Sequence, residues 1–176
     1  RGLLLQGAQF APLSLDTQWY RLFTHMFMHG GVVHLIMNMY ALFIVGTEVE
    51  NLTGTGKFLL IYFVTGLCAS IASLYFSLFV IGVGASGAIF GLFGFSLAIQ
   101  VKENYTEPQR LTPILINFVI FMVINLLFAK QLNADTPAHL GGLAGGLLMG
   151  AANIGQTSYT RIRGELVVVA LSIALL

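Results

Sequence analysis

The residues of this chain that could do covalent chemistry lie inside apolar stretches. Ser86 is embedded in the run Val83-Gly84-Ala85-Ser86-Gly87, where glycines interrupt one apolar segment and the serine suits the first turn of the next. A hydroxyl at a helix N-terminus lies near partial positive charge, which favours negative charge developing on a reacting oxygen. Taken alone, this serine is more typical of a small-residue packing position between membrane helices.

A histidine, His139, begins a later apolar segment. Glycines follow it on one helix face, at Gly142, Gly146 and Gly150. The segment that begins at Ser86 has a matching face, formed by Gly87, Gly91 and Gly94. Because glycine faces let two helix backbones approach closely, the pattern predicts that the His139 ring lies near the Ser86 hydroxyl. That pair would be a nucleophile beside a general base.

Two further polar residues, His34 and Asn38, are spaced by one helical turn in another apolar segment. Polar side chains inside membrane spans are functional candidates by default, although both residue types also join helices by hydrogen bonds. We interpret them, with the Ser86 backbone N–H, as donors to an oxyanion. Asp135 lies four residues before His139, in a predicted loop, so the pattern favours a Ser–His dyad over a triad.

His25 and His29 open an alternative, since with His34 they could be metal ligands. No Asp, Glu or Cys lies within this short histidine cluster, and the chain has no His-Glu-x-x-His segment. A zinc protease is therefore poorly supported, and we expect no metal and no cofactor. Structural or interfacial roles are the favoured interpretation of these two histidines.

The composition is that of a membrane protein. Of the 176 residues, 57% are hydrophobic and 9% are charged, and the mean hydropathy is +0.86. Soluble domains are typically about 25% charged. The net charge of +1 gives no reason to expect nucleic acid as a partner, and the single cysteine, Cys68, excludes a disulfide within the chain.

The predicted architecture is an all-α, polytopic transmembrane helical bundle that forms one domain over residues 1–176. An interfacial loop containing Trp19 and Arg21 comes first, and Pro137 opens the last complete span. We expect complete spans over 31–46, 58–80, 86–101, 111–129 and 137–153. Residues 166–176 would be the truncated start of another span. The short third span would begin inside the protein, in a cavity that contains Ser86.

Basic residues predict the orientation of the bundle. The connectors 48–57, 102–110 and 155–165 alternate with the other loops and hold five of the eight Lys and Arg residues. By the positive-inside rule these connectors face the cytoplasm, which places Ser86, His34 and His139 in the outer half of the membrane.

Three motifs of this sequence resemble those of the rhomboid intramembrane serine proteases. The family's Gly-x-Ser-Gly signature is similar to residues 84–87, and its Ala-His-x2-Gly-x3-Gly element to residues 138–146. Its His-x3-His-x4-His-x3-Asn segment matches residues 25–38. The Trp-Arg pair of the family's first loop resembles Trp19 and Arg21, and a Glu and Gly after the histidine helix resemble Glu50 and Gly54.

The resemblance implies a Ser86 nucleophile and a His139 base, with His34, Asn38 and the Ser86 amide in the oxyanion hole. Substrates would be single-span transmembrane proteins, cut in a bilayer without ATP or metal, and the oligomeric state is not predicted. Site-shaping residues would be Gly84, Gly87, Phe90, Gly142 and His29, with Phe90 in place of the usual tyrosine that stacks on the catalytic histidine. Trp19, Arg21 and Glu50 would be structural.

By this resemblance we expect the family's first span, which precedes the Trp-Arg loop, to be missing here. The resemblance also implies a bacterial cytoplasmic membrane with the site open to the outer face. Two other classes of function stay open. One is a membrane protein that holds single-span clients without cutting them. The other is a small transporter, which the lack of paired acids and of an inverted repeat makes less attractive.

Overall fold

The computed structural model describes residues 2–129 and 134–152. For residues 124–129 it describes the backbone only. Three short helices come first: α1 (Gly2–Gln6), α2 (Ala11–Asp16) and α3 (Arg21–Thr24), and a 3₁₀ turn follows at His25–Phe27. Arg21 is buried, and its Nη1 donates to the carbonyls of Leu4, at 2.8 Å, and Ala8, at 2.7 Å. This cation is therefore fixed inside the N-terminal segment rather than anchored at a membrane surface.

Long helices form the rest of the described chain. They are α4 (Val32–Ala41), which continues through a π-helical turn (Leu42–Gly46) into α5 (Thr47–Thr53), then α6 (Thr55–Phe76), α7 (Ser86–Asn104), α8 (Pro108–Ala129) and α9 (Thr136–Ala151). The described residues are thus a helical bundle, as predicted. The helix boundaries agree with the expected spans to within a few residues, except after Gly46.

The connector expected over 48–57 is wrong in its bounds. The α4–α5 helix runs through Glu48 and Glu50 and ends at Thr53, where Gly54 adopts a φ of +79°. The Glu48 carboxylate has a partner inside the bundle, since Ser96 Oγ donates to Glu48 Oε1 at 2.7 Å. A half-buried carboxylate on a continuing helix is tolerated where it accepts such a bond.

Helix α7 lies at the centre of the bundle, packed against α6 and α9. Its Leu92 and Phe95 side chains are fully buried. The contact with α9 is backbone to backbone, since a Cβ built on Gly142 would lie 1.9 Å from the Gly87 carbonyl oxygen. Only a residue without a side chain fits there, and the predicted packing of the two glycine faces is therefore present.

Two of the described helices are long and apolar enough to cross a membrane, Val32–Thr53 and Thr55–Phe76. Large apolar side chains on both are exposed, among them Phe43 at 73% and Phe76 at 78%. Surfaces of this kind suit lipid and not water. The number of complete spans stays a prediction, and the expected truncated span at 166–176 lies outside the described residues.

The loop between α6 and α7 is tied to the N-terminal segment. Gly82 and Gln9 exchange a pair of backbone hydrogen bonds at 2.9 Å each. Gly84 has a φ of +117°, which side chains rarely adopt, and its N–H donates to the His25 carbonyl at 2.9 Å. These bonds fix the backbone immediately before Ser86.

Candidate active site

Ser86 and His139 are in hydrogen-bond contact across the α7–α9 interface. The His139 Nε2 and Ser86 Oγ atoms are 2.9 Å apart. The ring of Phe90, one turn after the serine, stacks on the His139 ring with centroids 4.4 Å apart and planes 7° apart. Because the stack restricts the tilt of the imidazole, its nitrogen stays directed at the hydroxyl. Phe90 fills the stacking position without a hydroxyl of its own.

His34 lies beside this pair, at the start of α4. Its Nδ1 accepts the Gly30 backbone N–H at 3.2 Å, so the neutral ring carries its proton on Nε2. A Cβ built on Gly84 would lie 3.0 Å from that Nε2 and 3.7 Å from Ser86 Oγ. Gly84 thus gives the His34 N–H access to the space next to the serine, in addition to adopting a positive φ.

Asn38 is 6% exposed and lies one turn after His34. Its Nδ2 donates to the His34 carbonyl at 2.9 Å, and its Oδ1 is buried without a hydrogen-bond partner among the described residues. An amide nitrogen carries two hydrogens, so one remains for another acceptor. The side chain is therefore not saturated by the protein.

The other predicted site residues lie in several parts of the described structure. Gly87 and Gly142 form the close α7–α9 contact, and the ring of His29 packs edge-on against His34 with centroids 5.3 Å apart. Trp19 is 67% exposed on the N-terminal segment. Glu50 Oε1 accepts a hydrogen bond from Thr55 Oγ1 at 2.7 Å, at the junction of α5 and α6.

A second serine–histidine pair lies deeper in the bundle, and its chemistry differs. His25 Nε2 and Ser70 Oγ are 2.7 Å apart, but the Ser70 hydroxyl also lies within hydrogen-bond distance of the Leu22 and Gly66 carbonyls. Ser70 is 0% exposed, whereas Ser86 is partly exposed. Burial lowers the pKa of His25 to about 4, so this imidazole is neutral at pH 7. The pair joins two parts of the fold and offers no reactive oxygen to a substrate.

In the described part of the chain no three His, Cys, Asp or Glu residues form a group that could hold a metal ion. His29 and His34 touch through their rings, and His25 is bonded to Ser70 instead. The metal alternative therefore has no geometric support among the described residues.

Sequence reasoning missed the place of Asp135. It is the N-cap of α9, and its carboxylate accepts hydrogen bonds from Ser73, Ser77 and the Ala138 backbone N–H. The signal was present in the order Asp135-Thr136-Pro137, because an Asp followed by a proline in the first turn is typical of a helix start.

Comparisons with known proteins show which family the chain belongs to. The Rhomboid domain family matches residues 16–156. The chain is 40% identical to Rhomboid protease GluP of Bacillus subtilis over 151 residues, covering 85% of this chain and 29% of the relative. It is 38% identical to RHOMBOID-like protein 4 of Arabidopsis thaliana over 135 residues, covering 77% of this chain and 34% of the relative.

A third relative is Rhomboid protease AarA of Providencia stuartii, 32% identical over 174 aligned residues, which cover 86% of this chain and 62% of the relative. The chain thus spans less than two thirds of the length of each of these three proteins. The match to the family nevertheless extends over most of the chain and includes Ser86, His139, His34 and Asn38. The chain belongs to the rhomboid family.

Proposed function

We propose that this chain is the membrane domain of a serine endopeptidase that cuts transmembrane proteins, with Ser86 as nucleophile and His139 as general base. The observation that carries the proposal is the 2.9 Å contact between His139 Nε2 and the partly exposed Ser86 hydroxyl at the start of α7. Nucleophile and base within hydrogen-bond reach are the geometric signature of acyl transfer.

In the first step Ser86 Oγ attacks a substrate carbonyl carbon while its proton moves to His139 Nε2. The carbonyl oxygen becomes an oxyanion, which accepts hydrogen bonds from the Ser86 N–H, the His34 Nε2–H and the free Asn38 Nδ2–H. The imidazolium then protonates the leaving amine, and the C–N bond breaks to give an acyl-enzyme. Water, deprotonated by the same histidine, hydrolyses the ester and restores Ser86.

The proposed substrates are single-span transmembrane proteins, which is what the family resemblance implies. The exposed apolar side chains of α4 and α6, such as Ile36 and Leu60, support a protein that works within a bilayer. Gly84, Gly87, Phe90, Gly142 and His29 would shape the site, and Trp19, Arg21 and Glu50 would support the fold. The distribution of basic residues supports a site that opens to the outer face of a bacterial cytoplasmic membrane.

A fluorophosphonate reagent tests the proposal on the full-length protein in liposomes. We expect the reagent to stop cleavage of a single-span reporter and to leave one adduct, located by mass spectrometry on Ser86. Ser70 is a built-in control, because it has an imidazole partner but is fully buried and should stay unlabelled. Reporter binding with neither cleavage nor an adduct would favour a protein that holds its clients without cutting them.

Replacing either oxyanion donor should lower turnover without preventing attack by the serine. For Asn38→Ala and for His34→Ala we expect kcat to fall by about 10²- to 10³-fold, because a transition-state hydrogen bond is lost. The measurement is the rate of reporter cleavage at saturating substrate in liposomes. Thr53→Val is a matched control, since it removes a side-chain hydrogen bond on the same continuous helix, to the Val49 carbonyl, away from the site. Equal turnover of Asn38→Ala and Thr53→Val would contradict the assignment of Asn38.

A further inference from the structure

Asp135 joins the start of α9 to the end of α6. Its Oδ2 accepts a hydrogen bond from Ser73 Oγ at 2.5 Å, and its Oδ1 accepts one from Ser77 Oγ at 2.9 Å. Oδ1 also caps α9 by accepting the Ala138 N–H at 3.2 Å. One turn later His139 donates its backbone N–H to the Asp135 carbonyl at 3.1 Å. The carboxylate therefore fixes the helical turn that carries the His139 ring.

The axial position of the His139 ring depends on how α9 lies along α7. The two helices meet largely through glycines, and a Cβ built on Gly146 would lie 1.8 Å from the Gly91 carbonyl oxygen. Faces of small residues permit this close approach, while the stack of Phe90 on His139 is a side-chain contact across the interface. A shift of α9 relative to α7 would lengthen the 2.9 Å contact between Nε2 and Oγ. Hydrogen bonds at the start of α9 therefore add to the contacts that hold this register.

The loop that leads to Ser86 begins beside the same carboxylate. It starts at Ser77, which comes directly after α6 and donates a hydrogen bond to Asp135. Further along the loop, a Cβ built on Gly82 would lie 3.9 Å from Oδ2, and Gly82 exchanges backbone hydrogen bonds with Gln9. The carboxylate that caps α9 therefore also binds the residue from which the loop to the serine starts.

We propose that Asp135 is a positioning residue for the dyad: with Ser73 and Ser77 it sets the axial register of α9, and thereby the distance between His139 and Ser86. The inference rests on the proposed function, since it assigns a role relative to that reaction. Among the described residues no hydrogen bond joins the Asp135 carboxylate to the His139 ring, and the proposed positioning acts through the backbone of α9.

Kinetics of the full-length protein on a single-span reporter in liposomes test this role. For Asp135→Ala we expect kcat to fall by about 10- to 100-fold, because a misplacement of about 1 Å at reacting atoms has that order of effect. The KM, expressed as a mole fraction in the bilayer, should change by less than about twofold, since substrate binding is not altered. Asp135→Asn keeps one acceptor oxygen for the Ala138 N–H and should recover part of the lost turnover.

A double-mutant cycle separates positioning from general destabilisation. Ser73→Ala should lower kcat less than Asp135→Ala, and the double variant should be no slower than Asp135→Ala, because both substitutions break the same contact. Ser96→Ala is the matched control: it removes another hydrogen bond from a buried serine to a carboxylate, the one to Glu48 further along α7. It should lower thermal stability in detergent and leave kcat unchanged.

Two results would overturn the inference: a normal kcat for Asp135→Ala, or equal losses of kcat in Asp135→Ala and Ser96→Ala. Ser86→Ala in the same series identifies a different failure. If Ser86→Ala cuts the reporter as fast as the parent, the proposed function is wrong whatever Asp135 does. If Ser86→Ala is inactive while Asp135→Ala is fully active, only the positioning role is wrong.

Discussion

Replacing His139 with alanine is expected to lower reporter turnover by about 10⁴- to 10⁶-fold, and Ser86→Ala should have an effect of the same size. Without the imidazole, the serine hydroxyl has no acceptor for its proton within 2.9 Å and stays a weak nucleophile. The double variant should be no slower than either single variant, because the two residues act in one step. The measurement is single-turnover cleavage of a transmembrane reporter by full-length protein in liposomes.

The second serine–histidine pair supplies the matched controls for this prediction. Ser70→Ala and His25→Gln also remove one partner of a buried Ser–His contact, and they should lower thermal stability in detergent while the folded fraction keeps its turnover. If His139→Ala retained more than about 1% of parent turnover, the base would have to be another group. Equal losses in the Ser70 and Ser86 variants would mean that folding, and not chemistry, had been measured.

The contact between α7 and α9 could be predicted because a helix has a fixed period. Once Gly87 and Gly142 are assigned to helices, their spacing from Gly91 and Gly146 places them on facing stripes, and the Ser86–His139 contact follows. The stacking of Phe90 on His139 is expected from the resemblance and not from helix geometry, since an aromatic residue commonly occupies that position in the family.

Features that depend on distant partners could not be predicted in this way. The sequence predicts that Glu48 begins a connector, and the hydrogen bond from Ser96, 48 residues further on, accommodates its carboxylate on a continuing helix. Likewise, the sequence predicts that Asp135 lies in a loop, and its hydrogen bond from Ser73, 62 residues away in sequence, is visible only in the structure. Local sequence signals the cap of α9 but not what else the carboxylate binds.

Arg21 illustrates the same limit in the N-terminal segment. Its position after Trp19 and Tyr20 is equally typical of an interfacial anchor and of a buried structural cation. The structure decides between these because the guanidinium bonds the carbonyls of Leu4 and Ala8, which lie in the same segment but in no recognisable motif. Backbone acceptors carry no sequence signature, so contacts of this kind appear only in three dimensions.

Gly146→Val is expected to abolish turnover and to lower the thermal unfolding temperature in detergent more than any other substitution considered. A Cβ there would lie 1.8 Å from the Gly91 carbonyl oxygen and 2.9 Å from the Phe95 nitrogen, so α9 must move away from α7. Because both obstacles are backbone atoms, no side-chain rotation can relieve the clash, and overpacking of this kind costs about 1–3 kcal/mol or more. The separation also carries His139 away from Ser86.

Gly56→Ala is the matched control, since a Cβ built on this helical glycine meets nothing within 4 Å. It should keep full turnover and raise stability by up to about 1 kcal/mol, because alanine is the better helix former. Gly146→Ala, with a single added methyl group, should already reduce turnover and stability together. If Gly146→Val kept both at the level of Gly56→Ala, the two helices would not meet backbone to backbone, and the position of His139 beside Ser86 would need another cause.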